Sequence, residues 1–282
     1  MNHAGPGKAG QPLNLKSHSS QEDADRRSWA AQPLQRSGCP SGAERDEFAV
    51  RWLGRLNFVE ALKLQEELVA RKREDHASTD ALLLLEHEPV YTIGRTPDQS
   101  SLLDAAHLPY PLFAINRGGQ ATYHGPGQLM GYAIVDLRRC GQDLHRYLRW
   151  LERLLIEFLA DYEISATQRQ GLTGVWVGER KIASIGVGVR HWITMHGFAL
   201  NVCGDLAPFT HIVPCGISNV TMTSMELESG QSLSVHDVAR DFEKLALHRI
   251  GDLRFDCAPS AVGRDVCSCR GITRDELRWS GM

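Results

Sequence analysis

A chain of 282 residues with 42% apolar and 23% charged side chains has ordinary globular composition and enough length to bury a sizeable core. Its formal net charge of −3 gives no field that would gather nucleic acid, and no apolar run approaches the ~20 residues that span a bilayer. No basic segment followed by an apolar core opens the chain, so the seven cysteines are expected as reduced thiols in the cytoplasm.

Residues 1–45 are rich in Gly, Pro, Ser and Gln without apolar periodicity. They cannot bury enough surface to offset the entropy of ordering and are expected as a disordered extension. A mitochondrial transit peptide fits less well, because Glu22, Asp23 and Asp25 interrupt a stretch that should be poor in acid. Phe48, Val50 and Trp52 alternate as in a half-buried strand. Asn57, with Glu60 three residues on, caps a helix carrying Phe58, Ala61, Leu62, Gln65 and Leu68 on one stripe. Ala81–Leu85 reads as a buried strand ending before a His87–Pro89 turn, and Gln128–Asp136 as another. The clearest helix starts at Asp143 and repeats Leu144, Tyr147, Leu148, Leu151, Leu154, Leu155 and Phe158 at helical spacing. Residues 174–202 form a three-strand meander that turns first at Gly178-Glu179. Ser234 with Asp237 opens a third helix bearing Val235, Val238, Ala239, Phe242 and Leu245. Residues 257–282 are expected as a weakly structured tail; Cys257, Cys267 and Cys269 lack the paired spacing of a structural zinc site. No Pro/Gly-rich linker divides residues 46–256, and hairpin strands mixed with three helices predict one α/β domain of the α+β kind, mixed sheets flanked by helices.

Three segments carry chemistry. The stretch from Arg117 to Gln128 places four glycines in twelve residues beside Arg117, Thr122, His124 and Gln128. It suits a loop that holds a carbonyl, carboxylate or phosphate on inward-facing amides, or equally a tight turn with an ordinary His124. It is not a Gly-x4-Gly-Lys-Ser/Thr loop, so nothing supports a P-loop nucleotide site. Lys181 heads an apolar strand just after a turn. There it is either a solvated turn residue or, at the edge of a dry pocket, an amine able to act as a base. Cys215 lies between Pro214 and Gly216 in an irregular loop, either as an inert thiol or as a nucleophile. A free cysteine with pKa of about 8.5 needs a nearby cation or base to ionise at neutral pH. Lys181, His124 and His211 are the candidates, while Cys203 on an alternating strand reads as core.

Taken together these segments resemble the lipoyl(octanoyl) transferases, whose signature Arg-Gly-Gly-x-x-Thr-Tyr-His-x-x-Gly-Gln is matched throughout by residues 117–128. Leu85-Glu86-His87 and the run from Pro89 to Arg95 match an earlier block, with Glu88 where proline is more usual. The blocks Gly178 to Gly186, His196 to Asn201 and Pro214-Cys215-Gly216-Ile217 follow in the family's order, and the resemblance covers roughly residues 48–250. It implies the α/β catalytic domain shared with biotin and lipoate protein ligases, mixed sheets flanked by helices, with Cys215 as acyl-carrying nucleophile and Lys181 as the residue that activates it. It also implies substrate contacts from Arg117, Gly118, Gly119, Gln120, Ala121, Thr122, Tyr123 and His124, from Ser184, Ile185 and Gly186, and from Gly197, Phe198 and Ala199.

The implied activity moves an octanoyl group from octanoyl-acyl carrier protein to a lysine of a lipoyl domain, the first committed step of endogenous protein lipoylation. Its implied acceptors are the lipoyl domains of 2-oxoacid dehydrogenase E2 subunits and the glycine cleavage H protein. No cofactor beyond the carrier's own phosphopantetheine, no metal, no nucleic acid and no membrane enter this expectation. The implied compartment is the cytoplasm, or the mitochondrion for a eukaryotic source. Oxyanion donors are expected from the amides of Gly118-Gly119 and Cys215-Gly216, a dry wall from Phe198 and Ile185, and a basic rim from Arg95, Arg117 or Arg138 to meet the acidic carrier. Three other activities compete: an ATP-dependent lipoate or biotin ligase, a non-catalytic binder of acylated carrier, and a hydrolase pairing Cys215 with His124 or His211.

Overall fold

The structure, a computed structural model, describes residues 48–217 and 219–255. The expectations for residues 1–45 and 257–282, with Cys257, Cys267 and Cys269, lie outside the described residues. Asn57 separates the first strand, β1 (Phe48–Leu56), from the first helix, α1 (Phe58–Glu74). Its extended backbone cannot continue the helix, and its side chain accepts the Glu60 amide at 3.0 Å, as the cap pattern predicts. Asp143 does the same for α2 (Leu144–Ala160), accepting from Arg146 N at 3.0 Å. Ser234 and Asp237 exchange bonds of 3.1 and 2.8 Å ahead of the last helix, here called α4 (Val235–Phe255).

Between these helices run β2 (Asp80–His87), β3 (Val90–Ile93), β4 (Leu112–Ala114), β5 (Thr122–His124) and β6 (Gln128–Ile134). The expected meander is β8 (Leu172–Val177), β9 (Arg180–Arg190) and β10 (Ile193–Asn201), with β7 (Thr167–Arg169) on its outer edge. Two further short elements, β11 (Thr221–Met222) and α3 (Met225–Ser229), also escaped the periodicity. The main sheet runs β1-β2-β6-β10-β9-β8-β7, with β11 added to β9. Only β1 with β2 and β11 with β9 pair in parallel there; the other pairs are antiparallel, so the sheet is mixed as expected.

Helices α2 and α4 cover one face through a core that includes Tyr147, Leu151, Leu155, Phe158, Phe198 and Phe242. Helix α1 covers the other through Ala61, Val69, Leu83, Met130 and Tyr132. A second sheet of order β4-β3-β5 stands on that α1 side, packed with Phe209 and Ile212. The space between the small sheet, the start of α1 and the middle strands of the large sheet is where the chemistry-bearing segments meet. Among the described residues no helix is long and apolar enough to cross a membrane.

Candidate active site

The turn from Pro214 to Gly216 puts Cys215 at φ +57°, a left-handed conformation that side chains seldom adopt, and Gly216 follows at φ +70°. The Cys215 amide is anchored to the signature loop, donating to Ala121 O at 2.8 Å. The thiol is thereby aimed at β9. Lys181 Nζ lies 3.1 Å from Cys215 Sγ and Ser184 Oγ 3.6 Å from it. Lys181 is fully buried, its backbone held between Trp176 on β8 and Met222 on β11. Burial alone would raise the Cys215 thiol. The Lys181 charge and hydrogen bond, the Ser184 hydroxyl and the Arg117 charge together outweigh it, and the thiol is held below its ordinary range. Of the three candidate bases only Lys181 touches the sulfur. His211 is exposed.

His124 is committed elsewhere. Burial holds its ring well below the usual histidine range, so it is neutral. Gln128 Oε1, 3.3 Å from Nδ1, can only accept; the hydrogen-bond network therefore assigns the proton to Nδ1 and leaves Nε2 to accept from Thr92 Oγ1 at 3.2 Å. Thr92 in turn accepts from Arg117 Nη2 at 3.0 Å on both its hydroxyl and its carbonyl. The signature histidine thus props the signature arginine. Arg117 is 6% exposed and forms no ion pair with a carboxylate among the described residues. A similar chain fixes Tyr132: His87 Nδ1 donates to Leu56 O at 3.0 Å, so its Nε2 accepts the Tyr132 hydroxyl at 2.6 Å.

These residues enclose a cavity of about 220 Å³. From the signature loop Arg117, Gly119, Gln120, Thr122 and His124 line it, and from β9 Ser184, Ile185 and Gly186. Gly197, Phe198 and Ala199 line it from β10, and Cys215 stands at its wall. Gly118, Ala121 and Tyr123 do not: Gly118 ties the loop to Val187 O, Ala121 holds the cysteine, and Tyr123 packs into the small core against Tyr91 and Phe209. Sequence reasoning missed Phe58, Met130, Tyr132 and His196 in the cavity wall. His196 opens the recognised block His196 to Asn201 but was not among its expected substrate contacts, whereas Phe58, Met130 and Tyr132 had only the strand and helix faces to mark them.

Three expectations need correction. The amides of Gly118, Cys215 and Gly216 already donate to Val187 O, Ala121 O and Val213 O at 2.8–3.0 Å, so they cannot serve an oxyanion. The Phe198 ring meets the Phe242 ring tilted, with centroids 5.0 Å apart, in the α2/α4 core, because a strand sends neighbouring side chains to opposite faces; Phe198 touches the cavity but gives much of its apolar surface to that core. Arg117 is too buried to form a rim, and the Arg138 guanidinium grips Asp136 at 2.8 and 2.5 Å, which leaves exposed Arg95 beside the loop. Cys203 lies just past β10, partly exposed, and packs against the main core as expected.

Fold and site together define a mixed-sheet α/β protein with a lysine-contacted thiol at the wall of a small cavity. The chain belongs to the lipoyl protein ligase A/B catalytic domain family, whose pattern it matches over residues 57–245. It is 52% identical over 186 residues to an octanoyltransferase of Geotalea uraniireducens (strain Rf4), covering 66% of this chain and 85% of that one. It is 50% identical over 191 residues to an octanoyltransferase of Geobacter metallireducens, covering 68% and 88%. Among solved structures it resembles the bipartite lipoate protein ligase of Thermoplasma acidophilum, with a TM-score of 0.55, 15% identity and coverage of 73% and 84%. At that identity the likeness concerns the fold.

Proposed function

We propose that this chain is an octanoyltransferase that carries its acyl group as a thioester on Cys215. The single observation behind the reading is the 3.1 Å contact of a buried Lys181 with the Cys215 sulfur, within a chain about half identical to octanoyltransferases. In this reading Lys181 takes the Cys215 proton, giving thiolate and ammonium. The thiolate attacks the carbonyl carbon of octanoyl-acyl carrier protein; the carrier sulfur leaves and takes the proton of Lys181. Cys215 then holds the octanoyl thioester and Lys181 is a free amine. A lysine amine of a lipoyl domain, on an E2 subunit or the H protein, attacks that thioester and gives its proton to Lys181. Cys215 leaves as thiolate, the amide is formed and the starting pair is restored. Every proton returns and no electron changes hands.

Thioester to amide runs downhill, so the cycle needs no nucleotide. A cavity of about 220 Å³ is smaller than the ~300–1,000 Å³ of drug-sized sites and suits one short acyl chain. The Thr122 hydroxyl, buried in the cavity wall with no partner among the described residues, and the Lys181 ammonium are the donors for the oxyanion.

Intact-protein mass spectrometry after mixing with octanoyl carrier tests the cycle. Wild type should gain one octanoyl group and lose it to added lipoyl domain, and Cys215→Ala should gain none. Lys181→Ala should form the adduct about 10²–10⁴-fold more slowly. Activity that survives in Cys215→Ala and requires ATP with free octanoate would transfer the assignment to a ligase.

A further inference from the structure

Helix α2 presents an apolar face to the sheet, and one charge interrupts it. Glu152 is fully buried among the Leu and aromatic side chains of that face. A buried carboxylate persists only where its oxygens find donors. Its Oε2 accepts from Arg149 Nη1 at 2.5 Å, and its Oε1 accepts the backbone amide of Gly174 in β8 at 3.0 Å. Gly174 has φ +133°, and a Cβ there would stand 2.7 Å from Lys181 Cε, 3.3 Å from Lys181 Nζ and 2.7 Å from Ala183 O. One residue later the pairing of β8 with β9 slips in register. The Lys181 side chain therefore lies in a groove opened by the missing side chain of residue 174. The Trp176 ring flanks it with its centroid 5.4 Å from Nζ, and the ammonium continues to Cys215.

We propose that Glu152 is a positioning residue for the Lys181–Cys215 pair: by tying the Gly174 amide to α2 it sets the height of the β8 backbone against which Lys181 lies. It never meets substrate. Without the tie the 174 peptide is free to turn back toward regular pairing with β9, closing the groove and pushing the ammonium away from the sulfur. Arg149, whose side chain is 47% exposed, balances the charge but holds no part of the geometry. The inference rests on the pair being the reactive centre.

The test uses the whole protein and follows alkylation of Cys215 by iodoacetamide as a function of pH, beside a thermal melt and steady-state transfer. Lys181→Met calibrates it, moving the thiol midpoint up toward about 8.5. Glu152→Leu should move the midpoint the same way and lower kcat about tenfold or more, with KM for the carrier unchanged. Glu152→Gln, which keeps the accepting oxygen, and Arg149→Met should both retain the wild-type midpoint. If Glu152→Leu does not fold, Glu152→Asp gives the same reading: its carboxylate is drawn back by one methylene, and its midpoint should rise. A folded Glu152→Leu or Glu152→Asp protein with the wild-type profile overturns the inference, as does a Glu152→Gln or Arg149→Met midpoint that moves as far as that of Glu152→Leu. A Lys181→Met midpoint that stays in place overturns the paired-residue reading itself.

Discussion

Cys215 is held in the left-handed region, where a Cβ costs about 1–2 kcal/mol relative to glycine. Two inactive variants should therefore differ in stability. Cys215→Gly, freed of that strain, should unfold in urea with a free energy about 1 kcal/mol above that of Cys215→Ala, and an equal or lower value would show that the loop relaxes around the alanine. Cys215 was legible at the residue level as either an inert thiol or a nucleophile; as a nucleophile between Pro214 and Gly216 it needs a cation or base, and three residues could have supplied it. The choice lay in tertiary contact, because Lys181 and His124 differ only in what packs on them. His124 looked like a base by type and proves to be a neutral strut between Gln128 and Thr92. Nothing in its neighbours along the chain records that Thr92 comes to meet it.

At the scale of elements, the hairpin joining β9 to β10 turns through His191 at φ +52° and Trp192 at φ +64°. Two consecutive positive φ values are the mark of the tight turn that Asn-Gly fits best. His191→Asn with Trp192→Gly should raise the urea midpoint and add about 1 kcal/mol, since Trp192 is 38% exposed and its one tie to Leu137 N is made by its carbonyl. An unchanged midpoint would mean that the indole contributes packing on the surface. Long elements announced themselves: the stripe of α2, the cap at Asn57 and the meander of β8 to β10 all appear where their patterns fall. The small sheet did not, because β3, β4 and β5 are three or four residues each, too short for alternation to register. Glu152 was the one departure inside the cleanest helical pattern, and such a break in an apolar stripe is the signal by which it could have been found.

The whole molecule should be sensitive to mild acid. Burial lowers His87 and His196 to about 4 and also holds His124 well below the usual histidine range. Each is neutral in the folded chain, while the unfolded chain takes up protons below about 6.5. Their contribution is complete above that value and is lost as the pH falls toward the folded values, at about 1.4 kcal/mol per pH unit for each group. Urea titrations at several values between neutrality and mild acid should show this slope, and His87→Gln should reduce it by about one proton; an unaltered slope would remove His87 from the account. The walls of the cavity come from α1, both sheets and the loop at Cys215, segments that, the β9–β10 hairpin apart, are brought together by long-range pairing. Such topologies assemble late and cooperatively. The reactive thiol is therefore itself a product of folding: on the ribosome or in a partly folded intermediate Cys215 is an ordinary cysteine, and its activation reports that the domain is finished.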